Sequence, residues 1–177
     1  MAAARPHLVL RADDVLPFQV AEAPFYLSQE ILSSANTGLH DSFLNRATLR
    51  PHNALGGSAH PHHDEVYYVL SGHGTLRLGG DPVSGEGAAT YQVQAGTVVY
   101  IPANTFHGIA NDSDHDLIFL TIWPQVTGPG ANGIHDARVE AWGTAFRLQD
   151  GCELQETDQG RYVTDASRGW NPLFAGE

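Results

Sequence analysis

Apolar positions along this chain fall in short runs cut off by turn residues. Val66 to Leu70 stops at Gly72, Thr75 to Leu78 at Gly79 and Gly80, and Tyr91 to Gln94 just before Gly96. Thr97 to Ile101 stops at Pro102, and Leu117 to Trp123 at Pro124. Ser42 to Leu49 alternates loosely and predicts a further strand. Short β-rich runs at this regular spacing, separated by Gly and Pro, predict an all-β fold, an antiparallel sandwich or barrel. Asp81 to Ala89 holds Pro82, Gly85 and Gly87 and reads as a hairpin loop. Helical periodicity is scarce. Pro24 to Ser33 fits a short helix or a strand, and His135 to Trp142 fits one or two helical turns. One domain over residues 1–177 is expected. Its barrel covers about 40–125, with short helical or irregular extensions over 1–39 and 126–177.

The composition allows one core of its own: 177 residues, 42 % of them hydrophobic, which excludes a wholly disordered chain. Nine basic residues face 20 acidic ones, for a net charge of -11. Such a chain repels phosphate backbones, so nucleic acid is excluded as a partner. A single cysteine, Cys152, excludes an intramolecular disulfide and a Cys-rich metal site. The apolar runs are too short to span a membrane, and Met1 to Pro6 lacks the apolar centre of a signal peptide. A soluble, cytoplasmic protein is expected. Apolar groups at Val9, Leu10, Val15, Leu16, Phe25, Leu27, Ile31 and Leu32 exceed what a free arm exposes, and predict a homodimer.

Ten histidines change the picture. His60, His62, His63, Asp64 and Glu65 crowd the approach to the strand at Val66. Imidazole beside carboxylate suits a divalent transition metal such as Fe, Zn, Mn or Ni. Residues two apart on a strand share a face, so His60 and His62 form a ready pair. His63 shares a face with Glu65 and is a substitute for His62. Tyr67 follows on the face of Glu65 and is a candidate substrate contact. Arg77 and Arg46, on neighbouring strands, would bind a carboxylate if they turned inward. His52 can reach the barrel mouth or stay on a surface loop. His73, in a tight turn, and His115, among Asp112, Asp114 and Asp116, are expected to be exposed.

A second stretch runs Gly96, Pro102, Asn104, His107, Asn111. It resembles the second motif of the cupin family: Gly, five residues, Pro, one residue, Gly, two residues, His, three residues, Asn. Asn104 stands where the motif has its second Gly, and Asn is the non-Gly residue that best tolerates a positive φ. Glu65, six residues and Gly72 match the end of the first motif. His60 and His62 lie closer to Glu65 than that motif usually has them. The resemblance implies a small β-barrel, often dimeric, with one metal near its mouth. The implied ligands are His60, His62, Glu65 and His107. It implies a metal-dependent enzyme acting on a small metabolite, either a lyase, isomerase or cyclase or an Fe(II) dioxygenase. The alternative is a non-enzymatic cupin that binds or senses a small molecule.

Overall fold

The computed structural model describes residues 9, 11–14, 18–20, 23–32, 43–61, 63–123, 146–148, 152–157, 160–165 and 169–170. After a single 3-10 turn at Ala12–Asp14 the described elements are all strands. They are β1 (Phe18–Val20), β2 (Ala23–Leu32), β3 (Phe43–Leu49), β4 (Asn53–Ser58), β5 (Glu65–Ser71), β6 (His73–Leu78) and β7 (Ala89–Gln94). There follow β8 (Val98–Ile101), β9 (His107–Asn111), β10 (Leu117–Trp123), β11 (Phe146–Leu148), β12 (Cys152–Thr157), β13 (Gly160–Asp165) and β14 (Gly169–Trp170). All pairings are antiparallel. No helix among the described residues is long and apolar enough to cross a membrane.

A seven-stranded sheet runs β11-β1-β2-β3-β10-β5-β8, and a four-stranded sheet runs β4-β9-β6-β7. β12, β13 and β14 form a third, separate sheet. Pro24 to Ser33, open between helix and strand in the sequence, is strand: Tyr26 to Glu30 pairs with Leu49 to Asn45 of β3. His135 to Trp142 lies outside the described residues. The Asp81 loop forms as expected, with the Asp81 carboxylate accepting hydrogen bonds from the Val83 and Ser84 amides.

The core lies between the two large sheets. Tyr26, Ala47, Leu49, Tyr67, Val69, Leu117 and Phe119 from one meet Leu76, Val93 and Ile109 from the other. Alternation explains which residues point there. Along β5, Glu65, Tyr67 and Val69 are buried, while Tyr68 and Leu70 are 40 % and 41 % exposed. Fully burying an aliphatic or aromatic side chain contributes about 1.5–3 kcal/mol, so this alternating set dominates the stability of the barrel. Gly72 permits the β5–β6 turn. Its φ is +81°, and a Cβ there would sit 2.5 Å from the Asp116 carbonyl oxygen.

Candidate metal centre

The pleat brings Glu65 and His107 together from opposite sheets. Each is the first residue of its strand, at the same end of the barrel, and each side chain turns inward. His107 Nε2 lies 3.1 Å from Glu65 Oε2, with side chains 6 % and 2 % exposed. The third member, His60, reaches in from the loop between β4 and β5, its Nε2 3.4 Å from the same oxygen. Its ring packs 4.8 Å from that of His107. One ligand atom from each of the three falls within 4.8 Å of the other two.

His107 Nδ1 lies 3.0 Å from the Thr105 carbonyl oxygen. A carbonyl only accepts, so Nδ1 carries a proton and Nε2 is the ring nitrogen turned toward Glu65. This is how a backbone acceptor orients a ligating imidazole. His60 Nε2 is buried and makes no hydrogen bond. Two imidazole nitrogens and a carboxylate oxygen converging out of water call for a proton or a metal cation between them. The donor set fits a divalent transition metal.

The loop that carries His60 is clamped to the turn before β9. The Asn104 amide donates to the His60 carbonyl at 2.6 Å. Asn104 has φ +58°, the left-handed conformation anticipated for a residue at this place in the motif. Asp64 makes the second fastening. Its carboxylate accepts from the Tyr100 hydroxyl at 2.6 Å and from the Ala103 amide at 2.9 Å. The Tyr100 hydrogen bond, followed by that of the Ala103 amide, holds the Asp64 carboxyl below its ordinary range. The same bond pushes the Tyr100 phenol up. Gly57 lets β4 pass close by: its φ is +99°, and a Cβ would meet the Phe106 ring at 2.5 Å.

A pocket of about 280 Å³ opens on the three residues, and Tyr26, Leu55, Ser58, Tyr67, Phe119 and Thr121 are among the others that line it. Tyr67 lies edge-on to His107, ring centroids 6.0 Å apart. His63 is buried and stacked on His60 at 5.1 Å, outside the three-residue cluster. His62 lies outside the described residues. Arg77 sits on the outer face of the four-stranded sheet. It donates to the Gly85 carbonyl at 2.9 Å and covers the Phe106 ring at 5.4 Å. Arg46 likewise stays outside the pocket, bonded to Asp13 and Gln29. His52 and His115 are exposed, as is His73.

Sequence reasoning missed Thr121, Ser58 and the Asp64–Tyr100 fastening. Thr121 left a signal: it is the polar member of the inward series Leu117, Phe119, Thr121. It belongs to a buried polar row, in which the Ser28 hydroxyl donates to Asn45 Oδ1 at 2.7 Å and Asn45 Nδ2 donates to Thr121 Oγ at 3.5 Å.

A family model described as a cupin domain matches residues 45–123, the stretch that carries all three converging residues. This chain belongs to the cupin superfamily. Its barrel is similar to several solved cupin-type folds. A predicted oxalate decarboxylase from Thermotoga maritima superposes with TM-score 0.56 at 21 % identity, covering 67 % of this chain and 100 % of that one. Oxalate decarboxylase from Bacillus subtilis gives TM-score 0.55 at 24 % identity, covering 66 % of this cupin and 29 % of that chain. At these identities the likeness is one of fold. In sequence, the cupin is 29 % identical over 99 residues to glucose-6-phosphate isomerase of Thermococcus onnurineus. That match takes in 55 % of this chain and 48 % of the isomerase, so the cupin spans about half its relative.

Proposed function

We propose that this cupin is a metal-dependent enzyme of the lyase, isomerase or cyclase type, acting on a small metabolite. The observation that carries the reading is the convergence of His60, Glu65 and His107, buried, at the floor of a pocket of metabolite size. His60, Glu65 and His107 would hold the ion, with His62 or His63 as a further ligand. A bound divalent ion would supply Lewis acidity toward a substrate oxygen. The protein's own part is binding and orientation. Thr105 fixes the His107 ring, and the Asp64–Tyr100 fastening fixes the loop of His60. Tyr67, beside His107 in the pocket wall, contacts substrate in this reading. Arg77 takes no part, its guanidinium being engaged by Gly85. The similar proteins named as a decarboxylase and an isomerase agree with a reaction of the lyase or isomerase type.

Elemental analysis of the purified chain, followed by turnover assays with and without O2, tests the reading. Metal at about one ion per chain and turnover that consumes no O2 are expected. Substrate-dependent O2 uptake by the Fe(II) form would move the protein to the dioxygenases. Metal-free protein after loading would end the enzyme reading.

A homodimer is proposed as well. Tyr68, Leu70, Val98 and Tyr100 lie on the paired strands β5 and β8 and are 40–63 % exposed. A chain of net charge -11 meets a second copy of itself most cheaply on such an uncharged face. Light scattering should give twice the mass of one chain; the mass of a single chain at micromolar concentration would refute it.

A further inference from the structure

The pocket beside the three converging residues has an uneven lining. Tyr26, Leu55, Ile109 and Phe119 offer apolar or aromatic surface, and Ser58 and Thr121 offer hydroxyls. Among the described residues that line it there is no Arg, and the chain has no Lys. The described arginines near the barrel are engaged elsewhere: Arg46 by Asp13, Arg50 by Asp116 and Arg77 by the Gly85 carbonyl. Thr121 Oγ accepts from Asn45, which leaves its hydroxyl hydrogen for an oxygen in the pocket.

Charge then limits what can enter. Two neutral imidazoles, one carboxylate and one divalent ion sum to about a single positive charge. One substrate anion is balanced there. A second carboxylate or a phosphate dianion would find no counter-charge among the described residues that line the pocket, which is costly out of water. The volume of about 280 Å³ adds a limit of size, near the lower end for ligand pockets.

Resting on the metal-centre reading above, we infer that the ligand is a small 2-oxo or 2-hydroxy monocarboxylate with an apolar tail. Its paired oxygens face the metal end and the Thr121 hydroxyl. Its tail lies against Leu55, Ile109 and Phe119, where removal of apolar surface from water favours binding.

Calorimetry on the zinc-loaded chain tests this with two probes that share one head group, 4-methyl-2-oxopentanoate and 2-oxoglutarate. The first should bind at least about tenfold tighter than the second, since the second carries the extra carboxylate. Ser58 is exposed on β4 and pairs with His107 across the strands. Ser58→Arg places a cation at the rim and should reduce the preference to about threefold or less. Equal or tighter binding of 2-oxoglutarate by zinc-loaded wild-type chain overturns the substrate class and leaves the metal centre standing. Binding of neither probe by that chain does the same. A chain that takes up no zinc overturns both the metal centre and this inference.

Discussion

Each end of the barrel holds a histidine against a carboxylate at nearly one distance. At the mouth, His107 Nε2 is 3.1 Å from Glu65 Oε2, and the side chains are 6 % and 2 % exposed. At the opposite end, His52 Nε2 is 2.9 Å from Asp114 Oδ1, and they are 64 % and 88 % exposed. Water screens the second pair until it contributes little. The first pair has lost its solvation, and it is joined by His60. What is buried at the far end is of another kind. Asn111 Nδ2 donates to the carbonyls of Leu49 and His115, each at 2.8 Å, and its Oδ1 accepts from Ser113 twice. That network is complete within the protein, whereas the mouth gathers donor atoms that could hold a cation. Residue type alone does not make a site; burial and convergence do.

The sharpest way to break the contrast is Glu65→Gln. It keeps the shape and removes the charge that balances the ion. Metal affinity should fall about a thousandfold or more, read by chelator competition. An affinity within tenfold of wild type would mean that Glu65 is no ligand. Asn111→Ala should do the reverse. It leaves the Leu49 and His115 carbonyls without their partner, at a cost of about 2–4 kcal/mol in denaturant unfolding. Metal bound per folded chain should not change. A change there would show that the two ends are coupled.

Asp64→Asn removes the charged acceptor from the Tyr100 hydroxyl and the Ala103 amide without touching a metal-facing atom. Metal affinity should drop about tenfold, the low end for a group that orients a ligand. Tyr100→Phe should act in the same direction and less. His52→Ala, at the exposed pair, should alter stability by no more than about 0.5 kcal/mol and metal affinity not at all.

Acid should separate the two kinds of contact. Ligating imidazoles must be neutral, so protons compete with the metal and acid with a chelator present should release it before the carboxyls are protonated. Asp64 behaves differently. Its carboxyl is held below the ordinary value of 3.8, chiefly by Tyr100. A depressed carboxyl gives stability that is present above its unfolded value and lost only as pH falls through its folded value. Between those limits the metal should be gone with the Asp64 fastening intact. Simultaneous loss of both, by metal analysis and carboxyl NMR, would refute the order.

Much of this was legible in the sequence, for a physical reason in each case. β5, β6, β8 and β10 are apolar runs ended by Gly or Pro, and turn chemistry is local. The spacing from Gly96 to Asn111 carried both the turn at Asn104 and the inward aim of His107. β4 was not legible, because Asn53 to Ser58 is short, polar and Gly-rich; its strand state comes from pairing with β9. β2 was ambiguous until Tyr26 to Glu30 met β3. The outward turn of Arg77 follows from alternation with buried Leu76, but the sequence did not say which strand face was the inner one. Asp64 and Tyr100 are 36 residues apart, and a fastening between a loop and a distant strand leaves no periodic trace.

The most direct test of the central claim is the metal content of three purified chains, wild type, His107→Ala and His52→Ala. Each is loaded with zinc and dialysed against the same weak chelator. About one ion per chain is expected in wild type and in His52→Ala, and close to none in His107→Ala. Equal metal in folded His107→Ala and wild type would contradict the account, since the buried convergence at Glu65 would then not be what holds the ion.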